Sequence, residues 1–251
     1  MKLTIKSSVF TLLLIILISS CDKDKPKAQH ICKAPISIDL NAVVATNILE
    51  LQSVLYPDYL GRNYKVELLK FYLSNWVLEK SNGELISIDG INLIDFSSDE
   101  NLNIEAEVDT GIYLNLHFGI GLDSLTNASD PADFESSHPL SIAQNTYWTW
   151  ASKYKFFMIE GRVDTMDGMN PDLAFSYHTG FDNLYREVSI PLNNLFLDTE
   201  GDSLHLELDI DKLLNGTSGT IDFMTTPFSH TIDEVTETIS NNLVTSFTLK
   251  Q

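Results

Sequence analysis

The chain reads as an all-β protein, an immunoglobulin-like antiparallel β-sandwich carrying one or two short helices. Residues 36–40, 85–89, 112–118 and 204–210 alternate apolar and polar side chains at period two. Such alternation turns successive side chains to opposite faces, so each segment reads as a strand with one buried face. Asn82-Gly83 is the residue pair favoured in a two-residue hairpin turn, and it pairs residues 73–80 with 84–88 antiparallel. Closely spaced strands with few helix signals predict a sandwich.

Taken in order, Lys2 and Lys6 precede an apolar run over residues 9–18, broken by Thr11, that ends in Ile18-Ser19-Ser20-Cys21. That is the layout of a signal peptide. The run is well short of the roughly twenty residues a membrane-spanning helix requires. Its last four residues are similar to a bacterial lipobox, which implies cleavage before Cys21, acylation of Cys21 and attachment to a membrane. The expected organisation is therefore a signal peptide over 1–20, the lipidated cysteine and a flexible tether over 21–34, and one domain over 35–251. Residues 22–29 are charged with nothing to bury, as a tether requires. Cys32 is the only other cysteine, so with Cys21 lipidated no internal disulfide can form.

Further strands are expected over 64–71, 154–163, 173–177, 187–191 and 244–249, with short helices over 47–53 and 231–242. The longest irregular stretch, 123–145, leads into the aromatic segment described below. Loops of that length are commonly functional or mobile.

Composition narrows the partners. Asp and Glu number 35 against 16 Lys and Arg, a formal charge of −19 that becomes more acidic once Lys2 and Lys6 are removed. Nucleic acid and anionic lipid are recognised by clustered cations, so neither suits this chain. Cations or a basic protein do. No His-Glu-x-x-His, Gly-x-x-x-x-Gly-Lys or Gly-x-Ser-x-Gly motif occurs, and the sequence carries no sign of an enzyme.

The segment with most chemistry is Tyr147-Trp148-Thr149-Trp150, followed by Lys153-Tyr154-Lys155-Phe156-Phe157 and then by Phe175-Ser176-Tyr177-His178-Thr179-Gly180. In an extended segment Trp148 and Trp150 project from one face. They can form inter-sheet core or, with His178, a site. Trp76 reads as core, and His30 and His205 as structural or exposed. A separate expectation is calcium held by oxygen ligands on the long loop, with Asp123, Asp130 and Asp133 foremost.

The ordered series Leu69-Lys70-Phe71-Tyr72-Leu73-Ser74-Asn75, Leu93-Ile94-Asp95-Phe96, Phe118-Gly119-Ile120-Gly121-Leu122-Asp123-Ser124, residues 147–157, residues 175–180 and Ile221-Asp222-Phe223 resembles the MbnP-like family over most of the mature chain. The resemblance implies a secreted or lipid-anchored bacterial β-sandwich, periplasm-facing or on the cell surface at the outer membrane. It implies copper binding through histidines, supported by a tryptophan that a di-haem peroxidase-like partner enzyme converts to kynurenine. His178 would bind the metal, and Trp148 or Trp150 would be modified. Copper-binding relatives carry an Asn-His pair where this chain has Asn127-Ala128, and cysteines where it has 179–183 with none. His138 or His117 is then needed to complete the ligand set. The alternative is a metal-free structural or ligand-binding lipoprotein that keeps the fold alone.

Overall fold

A computed structural model describes residues 32–98, 102–149, 153–166 and 170–250. The expected signal peptide, Cys21, most of the tether and Trp150 lie outside the described residues. In chain order the strands are β1 (Lys33–Val44), β2 (Asn47–Ile48), β3 (Tyr56–Pro57), β4 (Asn63–Lys80), β5 (Leu85–Ile88), β6 (Asn92–Asp95), β7 (Asn103–Asp109), β8 (Gly111–Ile120), β9 (Tyr147–Trp148), β10 (Lys153–Val163), β11 (Leu173–Gly180), β12 (Arg186–Leu197), β13 (Asp202–Asp209), β14 (Asn215–Gly216), β15 (Gly219–Thr220), β16 (Phe228–Ser229) and β17 (Phe247–Lys250). The helices are α1 (Ser124–Asn127), α2 (Ile210–Leu214) and α3 (Glu234–Ser246). Among the described residues, none of the helices is long and apolar enough to cross a membrane.

The protein is mostly β, with two principal sheets. The smaller runs β17-β13-β1-β2, with β7 also on β1, and the larger runs β12-β8-β4-β10-β11-β16. Both are mixed rather than purely antiparallel, because β1 pairs parallel with β13 and β11 parallel with β16. Parallel neighbours need a long connection, and each of these pairs is joined through other elements. The inner faces meet through aromatic side chains. Phe247 of the smaller sheet lies edge-on to Phe71 and Phe118 of the larger, at ring centroid distances of 6.1 and 5.3 Å. Trp76 packs 4.7 Å from Phe118 and donates its indole N–H to Asn92. Rings of this size supply the largest apolar areas to a core.

A second apolar cluster of Tyr72, Leu93, Leu122, Leu140, Tyr154 and Phe156 lies apart from this core. Alternation along β10 places Phe157 and Ile159 in the inter-sheet core and Phe156 on the opposite face, so this cluster seats the long 121–146 segment on the outer side of the larger sheet. The segment is firmly tied. The Tyr72 hydroxyl donates to the Pro139 carbonyl at 2.8 Å and lies 2.6 Å from the Thr146 hydroxyl, and the Tyr154 hydroxyl donates to the Leu140 carbonyl at 2.8 Å. Its outlet is therefore fixed where the aromatic segment begins.

Several local expectations change. Residues 64–71 and 73–80 form one strand, β4, in which Asn75 takes a positive φ of 53° and absorbs a register shift against β8. The expected helix over 47–53 is replaced by β2 and a turn, since Val43 and Val44 pair back onto Ile48 and Asn47 through Ala45 at φ 55°. So short a segment forms few helical hydrogen bonds to offset the cost of nucleation. The C-terminal helix exists but starts at Glu234, where Asp233 accepts from the Val235 and Thr236 amides and the Thr236 hydroxyl reaches back to the Asp233 amide. It runs through Ser246, and the expected strand over 244–249 shrinks to β17.

Candidate functional site

The site sits on the outer face of the larger sheet, where β10, β11 and β16 adjoin. Phe175 and Tyr177 of β11 enter the core, so Ser176 and His178 project to the other side. Antiparallel register sets Glu160 of β10 opposite Ser176, and Met158 opposite His178. The parallel pairing of Ser176 with Phe228 and Tyr177 with Ser229 then delivers His230 beside His178. The two imidazoles stack, with centroids 4.3 Å apart and planes at 14°.

Trp148 completes the cluster. In β9 it pairs with Lys153 at the start of β10, and the hairpin lays its indole 5.3 Å from His178 and 5.5 Å from His230. The Lys155 ammonium sits 5.1 Å from the centroid of the same indole, within cation–π range. Trp148 is half-buried on this face and takes no part in the inter-sheet core.

The polar groups form one connected series. Glu160 Oε1 lies 2.6 Å from His178 Nε2, which lies 3.2 Å from the Ser176 hydroxyl, which lies 2.8 Å from His230 Nε2. The hydrogen bond from His178 is the main reason the Glu160 carboxyl is held below the usual carboxylate range, with burial opposing it. Its stabilising effect is thus present above the unfolded carboxylate range and is lost as pH falls through the lower folded value. Burial, and after it the nearby His178, push the His230 imidazole down, which favours its neutral form. Burial likewise lowers the Lys155 ammonium. His178 is 8% exposed, and its Nδ1 is buried without a hydrogen-bond partner among the described residues.

Other expected ligands lie elsewhere. His138 stacks on Phe134 at 4.4 Å, and its Nδ1 accepts from the Leu140 amide. His117, on β8, lies 3.2 Å from Glu79 of β4, and β4 separates its strand from β10. Neither contacts His178. Asp123 caps α1 by accepting from the Leu125 and Thr126 amides, and Asp130 caps the 3-10 turn Pro131–Asp133 by accepting from the Ala132 amide. Two of the three expected calcium carboxylates are therefore engaged in holding the loop. Among the described residues, no group of three or more His, Cys, Asp or Glu side chains is spaced as a ready metal-ligand set.

Asn127 is buried. Its amide donates to Asp182 at 2.8 Å and accepts from the Tyr154 amide at 3.1 Å, so Ala128 adjoins a structural anchor at the base of β10. His230 and Glu160 were not foreseeable as partners of His178 from the aromatic motifs. Glu160 needs the β10–β11 register, and His230 depends on the two-residue strand β16.

These features define a β-rich, two-sheet protein that carries an indole–imidazole site on one sheet face. The MbnP family model matches residues 33–232, and the chain belongs to the MbnP family. A solved structure, MbnP from Methylosinus trichosporium, is similar in fold, with 14% sequence identity and a TM-score of 0.53 over 74% of this chain and 79% of that one. No curated protein matches the chain.

Proposed function

We propose that this MbnP-family protein is a non-enzymatic copper-handling lipoprotein, anchored through Cys21 and facing the periplasm or cell surface at the outer membrane. In this reading His178 and His230 are the copper ligands. Trp148 is the tryptophan that a di-haem partner enzyme converts to kynurenine. One observation carries the proposal: a single half-buried indole lies against two stacked imidazoles.

The donor chemistry fits copper. Neutral imidazole is a favoured copper ligand, and copper binds such sites more tightly than the other first-row divalent metals. Both Nε2 atoms lie within hydrogen-bond distance of the same Ser176 hydroxyl, which sets the two imidazole donors on one face of the sheet. Copper, once bound, supplies a redox-active ion. The protein's residues supply the surroundings: Ser176 and Glu160 fix the His178 ring, and Lys155 and the two imidazoles adjoin the indole.

A metal-free binding or structural role is the second reading, favoured by Ala128 in place of the relatives' histidine and by the lack of a preformed three-residue ligand set among the described residues. A Cu(I) competition titration separates the two. Removing partners that only orient a ligand costs roughly 10–100-fold in metal affinity, so removing a ligand in His178→Ala should cost at least about as much. Unchanged affinity in that variant would reject the copper site.

A further inference from the structure

We infer that a pocket at the start of β4 binds a small hydroxyl-bearing ring compound of the phenol class, its hydroxyl held between Tyr64 and Asp211. The pocket opens where the turn from β3 to β4 meets α2, and its volume is about 290 Å³. An apolar cavity of about 150 Å³ holds benzene, and sites for drug-sized molecules begin near roughly 300 Å³, so a single substituted ring suits this one. Leu214, Ile221 and Phe223 are its buried apolar walls, and the exposed Tyr59 also lines it. The pocket shares no residue with the indole–imidazole site, so its occupancy is independent of the copper reading.

The polar lining divides into groups already engaged and groups left open. Asp58 accepts from the Leu60 and Arg62 amides and from Arg62 Nε, Asn215 accepts from the Thr220 hydroxyl, and the Lys212 ammonium lies 3.3 Å from Asp209. Two groups remain. Tyr64 is fully buried, and its hydroxyl has no hydrogen-bond partner among the described residues. A buried donor in that state costs stability until it meets an acceptor. Asp211 is half-buried and accepts from the Ala45 amide at 2.8 Å, with no cation paired to it among the described residues. Burial is the main reason its carboxyl is held above the usual carboxylate range. Asp211 is also the charged group that acts most strongly on the Tyr64 phenol, whose burial keeps it protonated and a donor. A ligand hydroxyl answers both, because its oxygen accepts from the phenol and its proton goes to the carboxylate. An ammonium offers Tyr64 no lone pair, and an anion is repelled by Asp211.

The test uses p-cresol as probe and toluene as its hydroxyl-free counterpart, each titrated into the full-length protein and followed by amide chemical shifts. Shifts centred on α2, Ile221 and Phe223 are expected, with p-cresol bound at least about tenfold more tightly, since toluene leaves a buried donor unmet. Tyr64→Phe keeps the ring and should weaken p-cresol about tenfold while leaving toluene within about threefold. Asp211→Asn, on a different element, should also weaken p-cresol and keeps the test decisive if the first variant does not fold. Absence of shifts at the pocket, equal affinity for p-cresol and toluene, or p-cresol binding unchanged in both variants would overturn the assignment and leave water as the partner of Tyr64.

Discussion

Phe71→Ala is expected to lose about 3–5 kcal/mol of folding stability, the usual cost of emptying a large buried aromatic position. Phe71 is fully buried on β4, the strand around which the larger sheet is organised. Its ring stacks on Phe157 of β10 at 5.5 Å, and it also meets Phe96 and, across the core, Phe247, each at 6.1 Å. Truncation removes contacts within one sheet and between the two, and β4 and β10 are too tightly paired for the space to close. Domains of this kind are stable by only about 5–15 kcal/mol, so the loss is a large share. Urea denaturation measures it, and a loss below about 1 kcal/mol would contradict the packing described.

The second large effect is at His230. His230→Ala should lower Cu(I) affinity at least about as much as loss of an orienting group, roughly 10–100-fold, whereas His117→Ala and His138→Ala should leave it unchanged. The reason is position. His230 stacks on His178 and adjoins Trp148, while His117 pairs with Glu79 and His138 with Phe134. Parallel Cu(I) titrations of the three variants decide it. A loss confined to His117→Ala or His138→Ala would place the metal away from β11.

How far the sequence reveals this site follows from range. Period-two segments such as 112–118 and 204–210 become β8 and β13 because local alternation and inter-sheet burial agree. Residues 47–53 misread as helix because their fate is set by pairing back onto β1, a tertiary contact invisible to periodicity. The same limit applies at the site. Ser176 and His178 share a face by simple alternation, and Trp148 precedes β10 in an aromatic run that marks it out. Whether that indole joins the inter-sheet core or the outer face depends on the tied 121–146 segment that feeds β9. Glu160 enters through register with β11, and His230 through a two-residue parallel strand with no periodicity to read.

In the proposed function Trp148 is the residue that chemistry at this site consumes. Peptide-mapping mass spectrometry of the protein from its native host, on the peptide carrying Trp148 and Trp150, tests that directly, and the same map reads lipid on Cys21. Kynurenine at Trp148, beside His178 and His230, is the predicted result; an intact indole at Trp148 in copper-replete cells would contradict it.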